Sequence, residues 1–152
     1  MALDFEKYAS KGNEFVHLVA EDLKVPRDMA GRIIQAVLHA LRSRLSHEES
    51  FHLVAQLPMA LKGVYVDGWN FDKDFRRIKH VEDFLDEVRK EDGDRAVYDF
   101  GNNAKARITI GAVFKAMSYF VSDGEMNDVI DILPEEIKEF TRHALGSNET
   151  VL

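Results

Sequence analysis

Two histidines frame HisGluGluSerPheHis at 47–52, acidic side chains crowd positions 123–139, and cations gather between Lys24 and Arg44. Each grouping suggests a chemistry. The first looks like the zinc-protease helix H-E-x-x-H, but that motif needs histidines at i and i+4 to face one ion. His47 and His52 are five apart and diverge, so a polar, partly solvated helix face is the plainer expectation. Asp123, Glu125, Asp128, Asp131, Glu135, Glu136 and Glu139 lack the alternating ligands of a calcium loop. They fit helix capping and a solvated acidic face, and neither a metal nor a cofactor is expected.

The basic set Arg27, Arg32, His39 and Arg42, with Lys24 and Arg44 nearby, is the chain's best nucleic-acid footprint. A net charge of -7 works against it, because nonspecific affinity for nucleic acid rests on cations neutralising phosphates. An ordinary solvated face, or a surface for the acidic side of another molecule, accounts for the same residues. A different candidate is Tyr65, Asp67 and the only tryptophan, Trp69, with Gln56 upstream. Aromatics beside a turn are the residue types of a partner or ligand hot spot. The alternative is that Trp69 plugs a seam while Asp67 and Gly68 make the turn. No G-x-S-x-G elbow, phosphate loop or dinucleotide fingerprint is present, which leans against an enzyme.

These residues need elements to position them, and the apolar spacing is helical almost throughout. Ile33, Val37, Leu41 and Leu45 form an i, i+4, i+8 stripe with Ile34 and Leu38 beside it. Val81, Phe84, Leu85 and Val88 predict a helix from about His80 to Lys90, and Ile110, Val113, Phe114, Met117 and Val121 predict another. Gly12 predicts a kink or a fresh start within the helix over 3–23, whereas Gly111 predicts a close helix contact. Residues 70–74 read as a linker, Glu91–Asn103 as a longer connection, and the tail from Gly146 as frayed. ValTyrVal at 64–66 is too short to build a sheet.

A shift of 76 positions superposes Ala36, Val37, Ala40, Ser46, Glu49, Leu57, Pro58 and Lys62 on identical residues at Ala112, Val113, Ala116, Ser122, Glu125, Leu133, Pro134 and Lys138. The repeated Ser-x-x-Glu is a capping box, in which each side chain satisfies an orphan N–H at the helix start. Each capped helix then meets Leu-Pro, where the missing donor and the restricted leucine force a break. The expected fold is all-α: two tandem helical repeats, 1–75 and 76–152, packed as one compact pseudo-twofold bundle.

Composition narrows the classes further. A chain of 152 residues with 45% hydrophobic and 31% charged side chains can bury a core without staples. The absence of cysteine removes disulfides and thiolate chemistry, and no apolar run approaches a membrane span. Cytoplasmic location, with no membrane and no nucleic acid as partner, is the expectation. The charge is uneven: residues 1–76 carry 10 basic and 11 acidic side chains, against 10 and 16 in 77–152.

AlaGlnLeuPro at 55–58, LysGlyValTyr at 62–65 and the closing AspGlyTrp at 67–69 resemble the bacterial domain-of-unknown-function family 2267. The resemblance spans nearly the entire chain and implies an all-helical protein with two related halves. It brings no catalytic residues. The function expected is a non-enzymatic interaction or regulatory module that engages a protein partner or itself. The alternative is a small-ligand binder or enzyme using a groove between the repeats.

Overall fold

A computed structural model describes residues 3–71 and 78–146 of the chain. Helix α1, Phe5–Leu23, starts where the Asp4 carboxylate accepts a hydrogen bond from Lys7 N at 3.2 Å. It ends at Lys24, whose positive φ of 56° lets its N–H close on Ala20 O. No fresh helix starts at Gly12: α1 continues through it without interruption. A Cβ at Gly12 would lie 2.8 Å from Ala60 Cβ, so glycine permits α1 to approach a later helix closely. Gly12 serves helix packing rather than a helix break.

Helix α2, Arg27–Arg44, follows Pro26 and buries the whole predicted stripe from Ile33 to Leu41, with Leu45 just beyond its end. Ser46 then caps α3, His47–Gln56: Glu49 N donates to Ser46 Oγ at 3.1 Å and Ser46 N donates to Glu49 Oε1 at 2.9 Å. Leu57 and Pro58 interrupt the helix as expected, and α4, Met59–Val66, sets off in a new direction. ValTyrVal is therefore the end of a helix.

Helix α5, Val81–Asp92, buries Val81, Phe84, Leu85 and Val88. The expected plain connection from Glu91 to Asn103 contains more structure: a 3-10 turn at Gly93–Arg95 and a short helix α6, Ala96–Asp99. Asp99 and Phe100 are fully buried there, because α6 is anchored to α2 by an ion pair described below. Asn102 caps α7, Asn103–Ser118, and the second capping box, Ser122 with Glu125, opens α8, Asp123–Asp131. After the break at Leu133 and Pro134 comes α9, Glu135–Gly146. Gly111 meets Ala144 across the α7–α9 crossing, where an added Cβ would lie 3.1 Å from that of Ala144. Residues 72–74 of the expected linker and 147–152 of the expected frayed tail lie outside the described residues.

Among the described residues every regular element is helical, and the helices share one core. α2 packs on α1, α3, α4, α5, α6 and α7, and α7 packs on α1, α2, α5, α8 and α9. Contacts of α2 with α5, α1 with α7 and α3 with α8 carry the core across the middle of the chain. Phe15 stacks on Phe120 at 5.5 Å as part of that crossing. Each fully buried Leu, Ile or Phe adds about 1.5–3 kcal/mol of transfer free energy, so the shared core dominates stability.

Candidate functional site

The turn after α4 gathers the aromatic residues. The Leu57–Pro58 break folds α4 back on α3, which brings Tyr65 beside Ser50; their hydroxyls share a hydrogen bond of 2.7 Å in the interior. Tyr65 is 0% exposed. Burial raises its phenol above the ordinary range, only partly offset by Ser50, so it stays neutral and works as a structural pin. Val66 ends α4, and Gly68 takes a φ of 68° that favours glycine. The chain thereby turns Trp69 back over Tyr65, edge to face at 5.7 Å.

Trp69 is half-buried against the core, and three further rings surround it. His47 stacks on Phe71 at 3.8 Å, and Phe51 lies 5.9 Å from Phe71 and 6.4 Å from Trp69. Phe51 and Phe71 remain 55% and 45% exposed, and Val66 at the end of α4 is also exposed. The result is an aromatic patch on the surface of the first half. His47, Phe51 and Phe71 are missing from the expected hot-spot set. Their signal was present: His47 and Phe51 stand at i, i+4 on α3, and Phe71 follows Trp69 by two. His47 consequently sits in an aromatic stack, where a polar, partly solvated face is the sequence expectation.

Of the four expected hot-spot residues, Tyr65 lies beneath this patch, Trp69 lies in it and Asp67 flanks it, exposed at the turn. Gln56 belongs elsewhere. It lines a groove of about 390 Å³ shared by α1, the α3–α4 break and the segment after α7, with Lys7, Lys11, Tyr119 and Phe120 among its walls.

The basic set is largely engaged within the fold. His39 Nε2 donates to Val64 O at 2.8 Å, and Arg42 Nη1 donates to Tyr65 O at 2.8 Å and Asp67 O at 2.6 Å. These donors satisfy carbonyls at the end of α4, where the helix dipole favours cations. Burial lowers both His39 and Arg42 from their ordinary values. Arg32 forms a two-pronged pair with Asp99, at 3.0 and 3.1 Å, and Arg44 pairs with Glu87 at 2.6 Å. Arg27 reaches Asn13 Oδ1 at 3.4 Å.

A second groove of about 500 Å³ lies between α7 and α9 near the start of α5. Its floor includes Val81, Ile108 and Phe140, and Lys115, Glu139 and His143 stand along it. Glu136 closes one end, accepting from His80 Nδ1 at 2.8 Å and Val81 N at 3.1 Å. Among the described residues no group of three His, Cys, Asp or Glu side chains is placed to hold a metal ion, and no helix is long and apolar enough to cross a membrane.

Capped helices, paired proline breaks and one shared core define an all-helical bundle protein, with an aromatic patch as its most distinctive surface. The chain belongs to domain-of-unknown-function family 2267, described as an uncharacterized conserved protein, whose profile matches residues 12–140. No curated protein matches it.

Proposed function

We propose that the protein is a non-enzymatic, cytoplasmic interaction module of bacterial origin that self-associates through the patch of His47, Phe51, Trp69 and Phe71. The observation that carries this reading is the exposure of Phe51 and Phe71 beside a half-buried tryptophan. Self-association follows from charge. A chain of net charge -7 repels its own copies over most of its surface, and this patch offers an aromatic area where two copies can meet. Stacked and edge-to-face rings are self-complementary, as a twofold dimer interface requires. Half-exposed rings supply only a few hundred Å² per side, at the low end of specific interfaces, so the dimer is weak.

The same reading includes an internal pseudo-twofold relation between 1–75 and 76–152. It is supported by the matched caps and by the exchange of contacts, α2 with α5 for α7 with α1.

Sedimentation velocity from low micromolar to near-millimolar concentration tests the dimer. The expected result is a concentration-dependent shift to dimer that disappears in Phe51→Ser/Phe71→Ser, with the helical circular dichroism unchanged. A monomer at every concentration, or a dimer indifferent to the two substitutions, overturns the reading. A second reading, a small-ligand site between the halves, is favoured by the Gln56 groove, where Lys7 and Lys11 stand one turn apart. A thermal-shift screen of metabolites should then yield one compound stabilising by several degrees, with the shift lost in Lys11→Ala. A flat screen ends that reading.

A further inference from the structure

Asp99 closes α6 with its side chain fully buried, and both of its oxygens accept from one guanidinium: Arg32 Nε at 3.0 Å and Nη2 at 3.1 Å. That pair balances one negative charge with one positive. Asp92, the last residue of α5, brings a second carboxylate within side-chain hydrogen-bonding reach of the first. Its Oδ2 is buried and has no donor. Two ionised carboxylates cannot bond to each other, since both only accept. One proton shared between the two carboxyls turns their contact into a charge-assisted hydrogen bond.

We propose that Asp92 is protonated in the folded protein and donates to Asp99, and that loss of this proton releases the 3-10 turn and α6 from α2. The connection Gly93–Phe100 is then a pH-sensitive latch. The charged groups around it are Arg32 from α2, paired one turn earlier with Asp28, Arg95 from the 3-10 turn, Asp99 from α6, and Lys105 from α7, whose Nζ donates to Tyr98 O at 2.8 Å. With Asp92 ionised, a second negative charge faces the fully buried Asp99 while Arg32 already serves the first. Val97 and Tyr98 ride on α6 with their side chains exposed, so loosening it changes an apolar stretch of surface.

The electrostatics agree with the geometry. Burial first, then the bond to Asp99 and its charge, push Asp92 up to about 7, against the pull of Arg32 and Arg95. Burial alone would raise Asp99 too, but the hydrogen bonds from Arg32 and Asp92 outweigh it and hold Asp99 low. The signs oppose each other. Stability from Asp92 is fully present below the usual aspartate pKa of about 3.9 and drains away as pH rises through about 7. Stability from Asp99 is present above the usual range and lost only in stronger acid. The latch is therefore tightest in mild acid and opens through neutrality.

Asp92→Asn provides the test, because its amide donates to Asp99 at every pH. Carbon-13 NMR of the wild-type side-chain carboxyls should show Asp92 titrating near neutrality, far above an ordinary aspartate. Thermal melts from about pH 5 to about pH 8 should fall more steeply in the wild type than in Asp92→Asn. Amide exchange over Gly93–Gly101, corrected for intrinsic rates, should lose protection across the same interval only in the wild type. An Asp92 carboxyl titrating in the usual aspartate range overturns the proposal. So does an Asn variant whose melts and exchange follow the wild type. If the variant does not fold, the wild-type carboxyl titration decides alone.

Discussion

In the arm from Ser46 to Trp69, a capped helix meets Leu57–Pro58 and turns into α4, which stops after eight residues. In the arm from Ser122 to Gly146, the same cap and Leu133–Pro134 lead into α9, which continues for twelve. The backbones start alike because the capping box and the proline act locally. They end differently because of what the side chains reach. Shifting by 76 puts Met126 where Ser50 stands and Thr141 where Tyr65 stands, and Thr141 Oγ1 donates back to Ile137 O at 2.8 Å within its own helix. Lys115 replaces His39 and lines the α7–α9 groove, whereas His39 reaches the end of α4. Ser118 replaces Arg42, and its hydroxyl donates to Lys115 O at 2.6 Å. One arm is pinned shut by side chains from α2 and α3 and capped with aromatics; the other keeps a groove. Recurring residues set the scaffold, and the differences at α4 and α9 set the surface.

The largest effect should come from the pin itself. Tyr65→Ala removes a fully buried ring and leaves Ser50 without its partner, for a loss of about 3–5 kcal/mol in urea unfolding. Thr141→Ala at the matching position removes a hydroxyl bonded within its own helix and should cost about 1 kcal/mol. Tyr65→Phe falls between them at about 1–3 kcal/mol, because the buried Ser50 hydroxyl is orphaned. Adding Ser50→Ala should recover part of that loss. Equal losses for Tyr65→Ala and Thr141→Ala would break the comparison between the arms.

How much of this was legible depends on the range of the interaction. The stripe on α2, the two caps and the two proline breaks involve residues within a few positions of one another, so spacing alone identifies them. Arg32 and Asp99 are 67 residues apart, and nothing local distinguishes that arginine from a solvated one. The basic set therefore read as a face, although Arg32, His39 and Arg42 bond to groups that only folding brings near. Phe51 presented the converse difficulty. Its type suggests a core position, but exposure depends on whether a neighbouring helix covers it. Gly12 failed for a third reason: a small residue can break a helix or admit a close neighbour, and only the position of Ala60 decides which.

The smallest expected effect tests the part the arms share. Ser46→Ala and Ser122→Ala each remove the acceptor for an orphan N–H, at about 0.5–2 kcal/mol in urea unfolding. Ser46 is half-buried and Ser122 exposed, so water can replace the lost acceptor more easily in the second arm. Ser46→Ala should be the more costly of the two. Acid supplies a further test of the second cap. Glu125 is held below the usual carboxylate range by its bond from the Ser122 backbone N–H and then by the Ser122 hydroxyl. Its contribution is present above the usual glutamate range and is lost as pH falls through the depressed value. Protonation weakens the second box from its glutamate side, so the deficit of Ser122→Ala should shrink when unfolding is repeated in acid. A deficit that stays constant with pH would mean that Ser122 and Glu125 act separately, and that the box is reciprocal in geometry without being coupled in energy.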